Sequence, residues 1–207
     1  MTPLAPAIKT NLKNFEKFFD WTKEYLKKHD KKLTLSNTKK VRLYDSMYCR
    51  GWCDGDQIAV AVKNKDFHSV YAHEFSHMQQ AIEKIDLWEN CDDKFWKELE
   101  KKNGKMDLNC WNSILDTIKI ERDCERRTLL TSKKWGLFDN AMYAKQANLY
   151  LYFYQYVFLK GKWVPTSKIQ HPKIVQAMPD KLLPISTFES IDMEIMALFD
   201  KYLSKYV

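Results

Sequence analysis

The chain has 207 residues, of which 45% are hydrophobic and 29% are charged, and its net charge is +7. These proportions exclude a disordered chain, and the length predicts a single globular domain. The positive charge would suit nucleic acid, but the lysines are spread in pairs along the whole chain, without an arginine-rich tract. A solvated lysine surface is therefore the favoured interpretation, and a nucleic-acid partner is the less favoured one.

No segment predicts secretion or membrane insertion. The amino terminus lacks a basic and then apolar signal region, and the longest apolar run, residues 149–159, is too short to cross a bilayer. Five cysteines are an odd number and do not have the density of a disulfide scaffold. We therefore expect a cytoplasmic protein with reduced thiols and no membrane partner. The sequence does not indicate an oligomeric state.

The first third of the chain predicts one helix followed by a small sheet. Aromatic and aliphatic residues at three- and four-residue steps predict a helix over residues 14–29. Residues 32–36 and 41–49 have the composition of strands, and Asp54-Gly55 predicts a hairpin turn before a further strand at 57–63. Because residues 58–62 are all apolar, both faces of that last strand should be covered.

The rest of the chain predicts mainly helices, expected at 67–85, 92–103, 110–135, 140–160 and, after a capping box at Ser186 and Glu189, to about 206. Residues 161–185 contain four prolines and predict an irregular segment. The sum is a helix-dominated α+β fold, with a small β-sheet or hairpin packed on two of the helices. We expect one domain over 1–207, with a core at about 41–135, an amino-terminal helix at 14–29 and a carboxy-terminal helical part at 139–207.

His73 and His77 lie one helical turn apart, with Glu74 directly after the first histidine. Imidazoles at this spacing can bind one zinc ion from the same side of a helix, and Glu74 can then reach a water bound to the metal. This is the arrangement of metal-assisted hydrolysis, in which the carboxylate takes the proton of the water. The alternative is a pair of surface histidines that bind water or a carboxylate.

The helix predicted over 110–135 offers the third ligand that a catalytic zinc site needs. On a helical wheel, Glu121 and Glu125 fall within the apolar stripe of Ile114, Ile118 and Leu129. Buried carboxylates need partners, which zinc and its histidines would supply. Glu121 would bind zinc and Glu125 would accept the other N–H of a ligand histidine, although the reverse assignment is also open. The alternative is ion pairing with Arg122, Arg126 and Arg127.

These residues resemble the gluzincin class of zinc metallopeptidases in its minimal form, over roughly residues 41–130. The resemblance implies a zincin-like core with His73, His77 and Glu121 as zinc ligands and Glu74 as general base and acid. It also implies that a strand edge near the histidine helix binds a peptide in extended form, and residues 57–63 are in the expected place. Glu125 departs from the family pattern, in which many relatives carry aspartate.

Other residues have weaker claims. Tyr143, Tyr150 and His171 are candidates for an oxyanion-stabilising donor, although a core or surface position is the favoured interpretation of each. Cys49 and Cys53 lack the second pair that a zinc finger needs, so a hairpin with two reduced thiols is expected. Cys124 flanks the glutamates but points away from the centre of their stripe, and we expect it to serve in packing.

The favoured hypothesis is a zinc-dependent hydrolase of peptide bonds, with a protein or peptide substrate. A second hypothesis is a catalytically silent protein in which zinc staples the helices and a basic surface binds nucleic acid or a protein. A third is a helical interaction domain without metal. The sequence does not identify the substrate.

Overall fold

The computed structural model describes residues 8–43, 48–101 and 106–207. Within this part of the chain two compact units can be distinguished. The histidine unit consists of the described residues up to 89 and of 124–143, and the carboxy-terminal unit consists of those at 90–123 and 144–207. The sequence-based prediction of one domain, with its core at 41–135, stays a prediction.

The histidine unit contains a small mixed sheet and three helices in its first part. The helices are α1 (Leu12–Lys28), α2 (Phe67–Glu83) and the short α3 (Asp86–Glu89), and the strands are β1 (Lys32–Ser36), β2 (Val41–Arg42), β3 (Tyr48–Cys49), β4 (Gly51–Cys53) and β5 (Gln57–Ala61). The main sheet has the order β1-β5-β4, and β2 pairs with β3 separately. Part of the segment predicted as a strand at 41–49, residues 44–47, lies outside the described residues.

Strand β5 occupies the centre of the sheet. It pairs in parallel with β1 and antiparallel with β4, and Ile58 to Ala61 are buried. The predicted hairpin is confirmed, since Gly55 between β4 and β5 has a φ of 91°, a conformation that favours glycine. The expectation that the edge of residues 57–63 receives a peptide is wrong, because both sides of β5 carry a neighbouring strand. Among the described residues, the outer edges of this sheet belong to β1 and β4.

Helix α2 is buried on nearly all of its faces. Aromatic side chains of α1 cover one of them, with the rings of Phe18 and Phe75 5.7 Å apart and those of Phe19 and Tyr71 4.9 Å apart. The strand β4 lies against another face, where Gly51 approaches Val70 and Glu74. Burial of this aromatic surface stabilises the unit. Helix α2 ends two residues before the predicted 85, since Lys84 adopts a left-handed φ of 49°.

The last part of α5 (Leu108–Trp135) covers the remaining face of α2. Small polar side chains make the contact. The hydroxyls of Ser76 and Thr128 lie 2.8 Å apart and are both buried, and the thiol of Cys124 donates to the carbonyl of His73 at 3.3 Å. At the margin, Arg127 forms an ion pair with Glu83 at 2.8 Å. Because these groups are short, the backbones of α2 and α5 approach closely at the level of the histidines.

The carboxy-terminal unit is helical in its described part. It holds the first part of α5 and most of α6 (Asn140–Lys160), together with α4 (Lys94–Glu100), α7 (Thr166–Ile169), α8 (Pro172–Ala177) and α9 (Met193–Leu203). The segment predicted as irregular at 161–185 thus contains two short helices. The side-chain amide of Asn148 holds the chain after α8 by donating to the carbonyls of Pro179 and Lys181.

The predicted capping box at Ser186 and Glu189 is wrong. Residues Ile185–Phe188 form a 3-10 helix, and the last α-helix begins later, at Met193. Its N-cap is Asp192, whose Oδ1 accepts from the backbone N–H groups of Glu194 and Ile195. A capping aspartate was thus present in the sequence, six residues after the serine that the pattern favoured.

The fold class predicted from the sequence, a helix-dominated α+β fold with a small sheet, is confirmed. Over the described ranges, no helix combines the length and apolar character needed to cross a membrane.

The buried contact between α2 and α5 can be tested with two serine variants. We expect Ser76→Ala to lower the free energy of unfolding by about 1 kcal/mol, because Thr128 loses a buried hydrogen-bond partner. Ser132→Ala is the matched control, since the buried Ser132 hydroxyl has no hydrogen-bond partner among the described residues. That variant should be as stable as the wild type or more stable. Urea unfolding of both variants measures the difference, and equal losses would contradict this account of the helix contact.

Candidate metal centre

His73 and His77 project from α2 side by side, and neither is a free surface residue. Their ring centroids lie 4.7 Å apart. His77 is 7% exposed, and the side chain of His73 is 22% exposed. The burial of His77 disagrees with the alternative of two surface histidines that bind water or a carboxylate, whereas His73 does lie beside a carboxylate, as that alternative allows. Within the histidine unit, His73 lies where α5 packs on α2.

The ring of His77 is fixed by Gln80, one turn further along α2. Nδ1 of His77 lies 2.8 Å from Oε1 of Gln80, and Gln80 is fully buried. The indole of Trp88 packs against the same imidazole, with ring centroids 5.7 Å apart. A carboxamide oxygen only accepts, so a hydrogen bond to Oε1 requires Nδ1 of His77 to carry the proton and leaves the lone pair on Nε2.

His73 faces two groups of α5. Its Nδ1 lies 3.4 Å from Oε1 of Glu125 and 3.5 Å from the thiol sulfur of Cys124. Burial, the largest single effect, lowers the pKa of His73, but interactions with Cys124 and Glu125 outweigh it and raise the pKa well above its usual value. The carboxylate of Glu125 thus lies within ion-pairing distance of the His73 ring, and its assignment as the partner of a metal ligand stays a prediction.

Glu125 carries a buried acceptor that lacks a partner. Only 7% of the residue is exposed, and its Oε2 has no hydrogen-bond partner among the described residues. Tyr143 lies close by, and its pKa is raised well above the usual value by burial and then by the negative charge of Glu125. An unpaired buried carboxylate oxygen is costly, and a cation beside it would remove the cost. The residues at this position therefore fit a metal ion.

The ligand atoms converge within the histidine unit. One ligand atom from each of His73, His77 and Cys124 can be chosen so that all three lie within 4.8 Å of one another. Ligand atoms around tetrahedral zinc are about 3.5 Å apart, so modest side-chain rotations would bring these to binding distance. Glu121 precedes Glu125 by one turn of the continuous helix α5, and the two offer carboxylate oxygens within 4.8 Å of each other. The cluster can hold a metal ion.

Glu74 is 7% exposed and lies against the edge strand β4. A Cβ atom on Gly51 would be 3.1 Å from Oε1 of Glu74 and 2.8 Å from Cγ1 of Val70, so the strand can approach α2 this closely only with glycine there. Burial, and next the charge of Glu74, raises the pKa of the Cys49 thiol to about 11. Cys49 and Cys53 are free thiols, as expected.

The three candidates for an oxyanion-stabilising donor have different positions. Tyr143 belongs to the histidine unit and lies beside Glu125. Tyr150 and His171 belong to the carboxy-terminal unit, where the ring of His171 stacks on Tyr202 at 4.2 Å and its Nδ1 caps α8 by accepting from Lys173. These contacts give His171 a structural role.

Sequence reasoning missed three residues at the centre. Gln80 follows His77 by three residues, and this spacing could have indicated a partner for the imidazole. Cys124 was expected only to pack, yet its thiol lies against both the ring and the carbonyl of His73. Gly51 gave no signal, because its importance depends on how closely β4 approaches α2.

Comparison with family models, with characterised proteins and with solved structures finds no match to this chain.

The close approach of β4 to Glu74 makes Gly51 sensitive to substitution. We expect Gly51→Ala to lower the free energy of unfolding by about 1–3 kcal/mol, because the new methyl group overlaps the side chains of Val70 and Glu74. A Val70→Ala change removes the nearer obstacle and should recover part of that loss in the double variant. Thermal or urea unfolding of the two single variants and the double variant measures this. Strictly additive losses would show that the overlap with Val70 is not the cause.

Proposed function

We propose that this protein is a zinc-dependent hydrolase of peptide bonds. One observation carries the proposal: two histidines, one turn apart on a buried helix, each direct Nδ1 at a fixed side chain of the protein. Metal-binding histidines commonly have such a partner, since it sets the tautomer and leaves Nε2 for the metal. The buried Glu74 beside them supplies the carboxylate that hydrolysis requires and a purely structural site does not.

In this proposal the zinc ligands are His73, His77 and Glu121. Glu125 would hold His73, which agrees with the distance of 3.4 Å between its Oε1 and Nδ1 of the histidine. Glu125 as the direct ligand is the alternative within the same proposal, and its unpartnered Oε2 favours it. Cys124 is a further candidate, because thiolates bind zinc well and its sulfur groups with both histidines.

Each group has one role in the proposed reaction. When bound, zinc would polarise the scissile carbonyl and make a water molecule acidic. Glu74 would take a proton from that water as general base and donate it to the leaving amine nitrogen as general acid. The water oxygen forms the new bond to the carbonyl carbon, and the C–N bond breaks. The outer edge of β4, beside Glu74, is the described strand edge that an extended substrate could pair with.

The metal site predicts a stoichiometry. After incubation with zinc and removal of the excess, the wild-type protein should carry about one zinc ion per chain by elemental analysis. His73→Ala and His77→Ala should lose it, because each removes a ligand. His68→Ala is the matched control, since His68 is on the same helix but packs against Phe15, with ring centroids 4.5 Å apart. Less than about 0.2 zinc per chain in the wild type would end the proposal.

The same measurement distinguishes the carboxylates of α5. Glu121→Gln should abolish zinc binding, whereas Glu125→Gln should weaken it by about 10–100-fold, the usual effect of removing a group that orients a ligand. The opposite pattern would make Glu125 the ligand. Full retention by both variants would transfer the role to Cys124, which cobalt substitution would reveal through a sulfur-to-metal charge-transfer band in the wild type that Cys124→Ser lacks.

Catalysis rests on Glu74. We expect Glu74→Gln to keep its zinc and to lower the hydrolysis of fluorescently labelled, unfolded casein by about 10²–10⁴-fold, because the amide cannot take the proton. Glu83→Gln is the matched control on the same helix, since it removes a half-exposed ion pair with Arg127 and should leave hydrolysis intact. Undiminished hydrolysis by Glu74→Gln would contradict the assigned role.

An inactive wild type with zinc bound would favour the alternative function. In that case zinc would join the helices of a catalytically silent protein that binds a protein or nucleic acid through its basic surface.

A further inference from the structure

Gln80 stands out among the residues around the histidines that the proposed reaction does not use. It is fully buried in the last turn of α2, where a long polar side chain is costly unless its amide is engaged. Its Oε1 lies 2.8 Å from Nδ1 of His77, a good hydrogen-bond distance. The two residues are three apart on the helix, so their side chains lie on the same face.

We infer that Gln80 is a positioning residue that holds His77 as the Nδ1–H tautomer, so that Nε2 carries the lone pair for a divalent metal. This inference rests on the proposed metal site and adds the group that prepares its second histidine. An acceptor at Nδ1 has two effects. It excludes the tautomer that would place a proton on the metal-facing nitrogen, and it prevents the ring from rotating about χ2.

The Nδ1 atoms of the two histidines thus face different kinds of group. His73 faces the carboxylate of Glu125 from another helix, whereas His77 faces a neutral amide from its own helix. A carboxylate draws the Nδ1 proton toward itself and makes the ring more basic, and an amide does so much less. The indole of Trp88 packs on the His77 ring, with ring centroids 5.7 Å apart. Of the two histidines, His77 is therefore the proposed ligand whose Nδ1 faces an uncharged group.

The amide of glutamine can accept or donate, so the direction of this hydrogen bond needs a direct test. If Oε1 accepts, Gln80→Glu keeps the acceptor and zinc affinity should be equal to that of the wild type or higher. Gln80→Met keeps the length of the side chain without the acceptor and should weaken zinc binding by about 10–100-fold. If the amide donated instead, it would hold the proton on Nε2 of His77, so Gln80→Met would bind zinc as tightly as the wild type or more tightly, and the inference would be overturned.

The experiment is a competition titration of zinc against a chromophoric chelator, with folding of each variant checked by circular dichroism. Gln79→Met is the matched control, because it makes the same change at the preceding residue, which is not fully buried. It should leave affinity within about twofold of the wild type, since surface changes have small effects. An equal loss in both variants would show a general effect on the helix and overturn the specific role of Gln80.

A second measurement uses only the wild-type protein, so it does not depend on whether a variant folds. In metal-free wild-type protein, long-range proton–nitrogen NMR spectra of the imidazoles should show His77 protonated on Nδ1. A His77 protonated on Nε2 would overturn the inference. The two proposals fail separately: a wild type that binds no zinc contradicts the metal site, whereas a wild type that binds zinc with unchanged affinity in Gln80→Met contradicts only the role of Gln80.

Discussion

The buried contact between α2 and α5 is the constraint on which the histidine unit depends. Ser76 and Thr128 share a hydrogen bond of 2.8 Å, and the thiol of Cys124 donates to the carbonyl of His73. Larger side chains at these positions would separate the helices. Nδ1 of His73 would then move away from Oε1 of Glu125, which lies 3.4 Å from it. Packing with small polar groups therefore does two things here: it closes the core and it brings a carboxylate to an imidazole.

Burial then determines the chemistry of the site. Glu74, His77, Glu125 and Gln80 are all nearly or fully buried, in a unit whose other core residues are mainly aromatic and aliphatic. Such surroundings strengthen interactions among charged and polar groups and make each unpaired group costly. The Oε2 atom of Glu125 is one of these, since it has no hydrogen-bond partner among the described residues. Without a cation beside it, this unpaired oxygen lowers the free energy of unfolding, and such local costs are typical of functional sites.

Much of the fold could be predicted because its elements have strong local signals. The helices from 12 to 28 and from 140 to 160 repeat apolar residues with helical spacing, and the turn at Gly55 requires a glycine. The place of β5 in the sheet could not be predicted, since strand order depends on contacts that are distant in sequence. Its all-apolar run did indicate coverage on both faces, but not that β1 and β4 would occupy both of its edges.

The residues of the candidate site likewise differ in whether the sequence alone indicates them. His73, Glu74 and His77 are recognisable because a fixed spacing on one helix creates their geometry, and Glu125 because a carboxylate on an apolar stripe needs a partner. Gln80 shares their helix, yet a glutamine has so many ordinary uses that its spacing alone carries little information. Gly51 and Cys124 matter only through tertiary contact with α2. Sequence thus reveals the groups that would do chemistry, whereas the groups that orient them become visible only when the distances between helices and strands are known.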